Sequence, residues 1–230
     1  MQAVILAGGK GKRLRPYTTI LPKPMMPIGE KPILGITIEK LAASGIGDII
    51  ITVGYLSQII QAYFGNGETF GVAIKYFVEK EPLGTAGCLS LIDGLDEEFI
   101  VTNGDLLTDL DYNDLIAHHR KSGMKVTICS YKKEVQLSLG VLDLQGDTVR
   151  DYIEKPTYRY DISTGIYMLH RSVIDHIPKN QYFDFPSLIK RLISLHEPIN
   201  VYRLEGEWYD IGREEDYRAV LAKFDNAEQD

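Results

Sequence analysis

The first thirty-two residues constrain this chain more than any later stretch. A short apolar run, Ala3-Val4-Ile5-Leu6, passes directly into Ala7-Gly8-Gly9-Lys10-Gly11-Lys12-Arg13-Leu14-Arg15. A proline-stiffened segment follows, Leu21-Pro22-Lys23-Pro24-Met25-Met26-Pro27, with one lysine held between two prolines. Glycines let a backbone turn sharply and approach a ligand without Cβ interference. Successive exposed N–H groups in such a loop form a concavity suited to an anion. Lys10, Lys12, Arg13 and Arg15 add four cations, in a chain whose formal charge is -7. A loop this basic, directly after an N-terminal strand, reads as a grip for a polyphosphate.

Two better-known phosphate loops are excluded. The G-x-x-x-x-G-K-[ST] pattern fails because Arg13 follows Gly11-Lys12 and Gly11 lies too close to Gly8. The G-x-G-x-x-G fingerprint fails because Leu14 stands at its third glycine. Prolines at 16, 22, 24 and 27 also forbid a regular helix directly after the loop.

Beyond the loop, apolar runs alternate with helical spacing. Residues 4–6, 49–53, 74–78 and 99–102 read as buried strands; 33–41, 56–64 and 115–119 carry apolar residues at helical spacing. That alternation implies a mostly parallel sheet with right-handed crossovers. After Lys121 the texture changes to strands over 126–131, 140–144, 149–154 and 166–169, with turns such as Gln145-Gly146-Asp147. These read as antiparallel additions that make the sheet mixed. Helices are expected near 185–195 and 214–224, and residues 226–230 as a frayed tail. With 230 residues, 44% of them hydrophobic, one sizeable core and one domain over 1–230 are expected. The acidic balance argues against nucleic-acid binding. No apolar run reaches the ~18 residues of a membrane span, and no signal peptide precedes the first strand. Cys88 and Cys129 suggest neither a disulfide framework nor a zinc site. A cytoplasmic location is expected, and the five scattered histidines read as structural.

Leu6-Ala7-Gly8-Gly9-x-Gly11-x-Arg13-Leu14-x-Pro16, followed by Pro22-Lys23-Pro24-Met25, closely resembles the sugar-1-phosphate nucleotidyltransferase family. Further matches come in the family's order along nearly the whole chain. They are Glu81-Pro82-Leu83-Gly84-Thr85-Ala86-Gly87, Asn103-Gly104-Asp105, Glu154-Lys155-Pro156, Thr164-Gly165-Ile166-Tyr167 and Trp208-Tyr209-Asp210-Ile211-Gly212. The resemblance implies an α/β fold, a Rossmann-like three-layer sandwich with a mixed, mostly parallel central sheet. It implies a reaction in which a sugar-1-phosphate oxygen attacks the α-phosphorus of a nucleoside triphosphate and pyrophosphate leaves. Because the chain ends soon after Asp210, no C-terminal β-helix or regulatory domain is expected.

That reaction asks little covalent work of a protein; it needs two anions held in line with their charge neutralised. Arg13, Lys23 and Asp105 are the expected catalytic residues. Arg offers a fork for phosphate oxygens, Lys a compact charge. Nucleotide contacts are expected from Leu6, Ala7, Gly8, Gly9, Gly11, Lys12, Arg13, Glu79, Pro82, Gly84, Thr85 and Gly104. Asp105 follows a buried strand and so sits at its carboxyl end, where open α/β sheets place ligands. The resemblance assigns Asp105 and Asp210 to Mg²⁺, a cation that takes hard oxygen ligands. It likewise assigns Gly140, Glu154, Lys155 and Thr164 to the sugar phosphate. Two departures stand out: Lys12 replaces the family's usual threonine, and Ser163-Thr164-Gly165 stands where many relatives have Asn-Ala-Gly.

The resemblance implies that the segment after strand 74–78, which begins at Glu79, borders the nucleobase. An ionised carboxylate only accepts hydrogen bonds. Guanine presents two adjacent donors, whereas uracil presents one donor flanked by acceptors, so GTP is the favoured donor. The partners expected are an NTP and a sugar-1-phosphate, with mannose-1-phosphate and a heptose-1-phosphate leading by resemblance. The product would serve cell-surface glycan precursors, and a homo-oligomer is compatible. The competing readings are a uridylyl- or thymidylyl-transferase of the same family, a non-catalytic nucleotide-sugar-binding module, and a different α/β enzyme such as an oxidoreductase.

Overall fold

The computed structural model describes residues 1–227, so the last three residues of the expected frayed tail lie outside the described residues. The chain runs β1 (Gln2–Ala7), β2 (Pro27–Ile28), β3 (Lys31–Pro32), α1 (Ile33–Ala43), β4 (Asp48–Val53), α2 (Ser57–Phe64), β5 (Ala73–Val78) and α3 (Gly84–Gly87). It continues through β6 (Glu98–Asn103), β7 (Leu106–Thr108), α4 (Tyr112–Ser122), β8 (Val126–Gln136), β9 (Val141–Gln145), β10 (Thr148–Ile153) and β11 (Thr157–His170). It closes with α5 (Phe185–Ser194), β12 (Asn200–Leu204), β13 (Trp208–Asp210) and α6 (Glu214–Ala227). Asn226 therefore continues α6 rather than fraying.

Seven strands form one sheet in the order β12-β8-β11-β6-β1-β4-β5. Strands β6, β1, β4 and β5 are mutually parallel, and β8 is parallel to β12. Only β11 runs against its neighbours, β6 on one side and β8 on the other. Period-2 alternation divides the side chains between two layers. In β1, Ala3, Ile5 and Ala7 join Leu34, Ile38, Ile60 and Leu115 of α1, α2 and α4 on one face. Val4 points to the other face, with Ala86, Phe185, Leu188 and Leu192 of α3 and α5. This is the expected three-layer sandwich. No helix among the described residues is long and apolar enough to cross a membrane.

Three features escaped the sequence reading. The strand expected at 166–169 begins at Thr157 and runs fourteen residues, its first half pairing with the far end of β8. Strand β12 adds a parallel edge that its alternation of exposed and half-buried residues disguised. The three-residue β7 and β13 form a small ladder of their own. A third apolar cluster holds Leu14, Met26, Ile28 and Ile33 against Ile211, Tyr217 and Val220. It anchors the basic loop and the Pro-Lys-Pro segment onto α6.

Candidate active site

The sheet's strand order predicts where a ligand goes. The chain builds β4 and β5 on one side of β1, then crosses to place β6 on the other side. Crevices at such a switch point, beyond the carboxyl ends of the strands, are where open α/β sheets bind ligands. A cleft of about 420 Å³ opens there. It is lined by the loop after β1, by Thr52 and Glu79 at the ends of β4 and β5, and by Asn103 and Asp105 after β6.

The loop has specific steric demands. Gly11 is left-handed, at φ +57°, and a Cβ there would meet Thr18 Cγ2 at 2.9 Å and Lys23 Cβ at 3.1 Å. The Thr18 hydroxyl donates to the Gly11 carbonyl at 2.8 Å, and the Leu14 N–H donates to it at 2.9 Å. Leu14, almost wholly buried, pins the turn that presents Lys12 and Arg13 to the cleft. A Cβ on Gly8 would lie 2.5 Å from Glu79 Oε1, so the glycine is what admits that carboxylate to the cleft wall. Glu79 Oε2 accepts the Leu83 N–H at 3.2 Å. Burial pushes the Glu79 carboxyl above its ordinary value, offset in part by that hydrogen bond.

Lys23 is buried, unusually for a lysine. Its ammonium pairs with Asp105 and lies 3.7 Å from Asp210 Oδ1. The two aspartates are more than a hundred residues apart in sequence, and the β7–β13 ladder brings them together. Asp210 pairs with Leu106 in that ladder, and the Ile211 N–H donates to the Asp105 carbonyl at 3.2 Å. Burial, and then the Asp105 charge, push the Asp210 carboxyl above its ordinary value; Lys23 and Arg13 pull it down. Asp109 and Asp111, equally acidic in sequence, have other work. Asp109 Oδ1 accepts the Glu207 N–H at 2.7 Å, and Asp111 caps α4 by accepting from Asn113 at 2.8 Å and Asp114 at 3.4 Å.

Leu6, Ala7, Gly8, Gly9, Gly11, Lys12, Arg13, Lys23, Glu79, Pro82, Gly84, Thr85 and Asp105 line the cleft together. Gly104 does not; its N–H donates to the Leu6 carbonyl at 2.9 Å, tying β6 to β1. Of the four residues expected at the sugar phosphate, one is buried in the sheet and three lie together outside the cleft lining. Thr164 is buried, and its hydroxyl donates to the Cys129 carbonyl at 2.9 Å, so that group is engaged within the sheet. Gly140, Glu154 and Lys155 meet beside the β9–β10 hairpin and do not line the cleft; Tyr152 lies against Gly140 and its hydroxyl donates to Glu154 Oε2 at 2.9 Å. Glu154 and Lys155 are exposed there, with Lys155 Nζ 3.8 Å from Glu154 Oε1. Lys155 is nevertheless left-handed, at φ +47°, although it is not glycine and precedes a proline. That conformation is disfavoured on both counts.

Pro24, Thr52, Asn103, Tyr182 and Gly212 also line the cleft. Thr52 and Asn103 could have been found, since each lies at or near the carboxyl end of an anticipated strand. Nothing local in sequence marks Tyr182. The cysteines are not nucleophiles: burial pushes the Cys88 thiol up to about 12 and Cys129 up to about 11. His119 is buried, its Nδ1 2.7 Å from Thr127 Oγ1, as expected of a structural histidine.

Residues 2–227 match the family model described as Nucleotidyl transferase. The chain is 36% identical to the UTP–glucose-1-phosphate uridylyltransferase of Synechocystis, over 97% of this chain and 64% of that protein. It is 37% identical to the mannose-1-phosphate guanyltransferase of Yarrowia lipolytica, over 94% of this chain and 62% of that protein. It thus spans somewhat less than two thirds of these relatives' length. Among solved structures, HddC from Yersinia pseudotuberculosis superposes with a TM-score of 0.75 at 30% identity, covering 97% of this chain and 99% of that one. HddC has also been solved complexed with GMP-PN.

Proposed function

This chain belongs to the nucleotidyl transferase family, and from that premise we propose that it transfers a nucleotidyl group from an NTP, preferably GTP, to a sugar-1-phosphate, releasing pyrophosphate. One observation carries the reading. Arg13, Lys23, Asp105 and Asp210 converge beside a glycine loop at the carboxyl edge of the sheet. The loop's N–H groups, with Lys12 and Arg13, cradle the triphosphate. Lys23 neutralises charge developing toward the leaving pyrophosphate. The donor set fits Mg²⁺, which takes one or two carboxylates and completes its shell with phosphate oxygens and water. Asp105 and Asp210 face the same ammonium, that of Lys23, and so stand close enough together to share one cation. Asp105 and Asp210 would hold the ion, which when bound screens the phosphates from the incoming oxygen. Among the described residues no third metal-capable side chain joins the pair, in keeping with substrate oxygens completing the shell. Free, buried cysteines support a reducing, cytoplasmic setting. The test is pyrophosphate release from each of four NTPs with several sugar-1-phosphates, with and without Mg²⁺; no release from any pair would overturn the proposal.

GTP preference rests on Glu79. Relatives differ in base, one named for UTP and another for guanyl transfer, so the choice must come from local residues. With Oε2 held by Leu83, the carboxylate faces the cleft as an acceptor. Guanine's N1–H and 2-amino group satisfy it, whereas uracil turns acceptors toward it. Glu79→Gln should narrow the GTP-to-UTP ratio of kcat/KM by roughly 5–150-fold, the value of one bidentate base contact. As pH falls through the raised Glu79 pKa, the carboxyl gains a proton, and GTP preference should weaken sooner than for an ordinary glutamate. Wild-type preference for UTP or dTTP would sink this assignment.

Lys155 is assigned to the sugar phosphate. Its left-handed backbone supports a fixed role, because such strain collects at functional sites. Lys155→Ala should raise KM for the sugar phosphate on the order of tenfold, the loss of one charge-assisted hydrogen bond. KM for the NTP should hold. A change confined to the NTP would mean that the two substrates are exchanged.

A further inference from the structure

Gly84 and Thr85, expected at the nucleotide, belong to a turn that also holds a distant segment in place. The Phe183 N–H donates to the Leu83 carbonyl at 2.8 Å, and the Phe183 carbonyl accepts the Ala86 N–H at 3.0 Å and the Gly87 N–H at 2.8 Å. The Thr85 hydroxyl accepts the Phe185 N–H at 3.0 Å. Four hydrogen bonds thus staple residues 183–185 onto α3. The fit is close. A Cβ on Gly84 would meet the Phe183 carbonyl oxygen at 2.7 Å and Tyr182 Cε2 at 3.2 Å, and a Cβ on Gly87 would meet the Gln181 carbonyl oxygen at 2.8 Å.

The far side of the segment is fixed too. Asp184 caps α5, its Oδ1 accepting the Ser187 N–H at 2.9 Å. Phe185 stacks on Tyr167, with ring centroids 3.9 Å apart. Of the three aromatic residues here, Phe185 is buried and Phe183 half-buried, whereas Tyr182 is 69% exposed. Its ring edge rests on Gly84, and among the described residues it is the one aromatic side chain that lines the cleft. The staple therefore holds an open ring at the cleft wall.

We propose that Tyr182 covers the nucleoside end of the bound NTP, its ring lying against the base. This role rests on the proposed function. Position selects the base over the phosphates: Arg13 and Asp105 enter the cleft after β1 and β6, whereas Tyr182 stands on the wall made by Glu79, Pro82 and Gly84 after β5. Leu83 joins the two base contacts. Its N–H donates to Glu79 Oε2 at 3.2 Å, and its carbonyl holds Phe183. The carboxylate assigned to the edge of the base and the ring assigned to its face are thus set by one residue. Stacking tolerates any base, because every base has a π-face, so Tyr182 adds affinity while Glu79 adds choice. Tyrosine suits the task, since its two side-chain torsions leave little freedom to lose on contact.

Calorimetric titration with GTP and with UTP, each with Mg²⁺ and without sugar phosphate, tests this role. Tyr182→Ala should raise both Kd values on the order of tenfold, the loss of one base–aromatic contact. It should change the GTP-to-UTP ratio less than Glu79→Gln does. Tyr182→Phe should bind as wild type, because it keeps the ring. In turnover, Tyr182→Ala should raise KM for the NTP and leave KM for the sugar phosphate steady. A wild type that binds neither nucleotide, unchanged Kd values in Tyr182→Ala, a Tyr182→Phe variant as weak as Tyr182→Ala, or a KM change confined to the sugar phosphate would overturn the assignment.

Gly87→Ala tests the staple from behind. Gly87 is buried, does not line the cleft and has an ordinary helical backbone, so alanine conflicts there chiefly with the Gln181 carbonyl. Gly87→Ala should weaken GTP binding on its own and add nothing to Tyr182→Ala, since coupled residues do not act additively. Additive effects in the double variant, or wild-type GTP binding in Gly87→Ala, would overturn the positioning role. Absence of turnover with every NTP, with nucleotide binding and its loss in Tyr182→Ala intact, would strike the proposed transfer reaction and leave Tyr182 at the base.

Discussion

Asp105→Asn and Asp210→Asn are each expected to abolish pyrophosphate release while the protein stays folded. Asparagine keeps the shape of the side chain and removes the charge that Mg²⁺ requires. The structure sharpens the expectation, because both carboxylates face one ammonium, that of Lys23. Deleting either charge therefore removes a proposed metal ligand and changes the field around a buried cation at once. Breaking a buried pair can itself cost stability, so each variant's melting temperature must accompany its rate. Asp111→Ala is the control. It deletes an equally acidic neighbour that only caps α4, so it should cost about 1 kcal/mol in urea unfolding and spare turnover. Wild-type rates in Asp105→Asn or Asp210→Asn at saturating Mg²⁺ would remove that residue from the site.

How much of this was legible in the sequence depended on distance along the chain. The glycine loop was readable as a candidate polyphosphate grip because its chemistry is local: three glycines and four cations within eight residues of a strand end. The parallel half of the sheet was readable because strands buried on both faces are continuous apolar runs. Asp105 was placed at a strand's carboxyl end, and β6 does end two residues before it. What failed was non-local. The β7–β13 ladder joins segments a hundred residues apart through three residues each, too short to leave a periodic trace. Without it, Asp210 could be tied to Asp105 only through family resemblance. The setting of Thr164 was hidden for the same reason: its hydroxyl's partner is the Cys129 carbonyl on a neighbouring strand, and no pattern around Thr164 announces it. The outer half of β11 was missed because its alternating Tyr and charged residues belong to a ribbon outside the core.

Arg13→Ala should lower kcat by on the order of 100–1000-fold, about 3–4 kcal/mol of lost transition-state stabilisation. The size of the effect follows from preorganisation. Leu14 locks the turn into the third apolar cluster, and the left-handed Gly11 is fixed by Thr18 from below. The guanidinium is thus delivered to the cleft by a backbone that need not reorganise when charge shifts onto the departing pyrophosphate. It also lies near Gly212, with Nη2 3.5 Å from where a Cβ would stand there, on the side of Asp210. Arg13 can therefore bridge the triphosphate and the carboxylate pair. Lys12 stands on the same turn and is exposed like Arg13, but it carries a point charge with no bidentate fork, so Lys12→Ala should act mainly on KM for the NTP. Arg13→Lys should recover only part of the loss, because a point charge does not reproduce the bidentate fork. Single-turnover rates with saturating NTP separate the two effects. If Arg13→Ala raises KM for the NTP and leaves the single-turnover rate intact, Arg13 binds the ground state alone and the charge on the leaving group is met elsewhere, with Lys23 the nearest candidate.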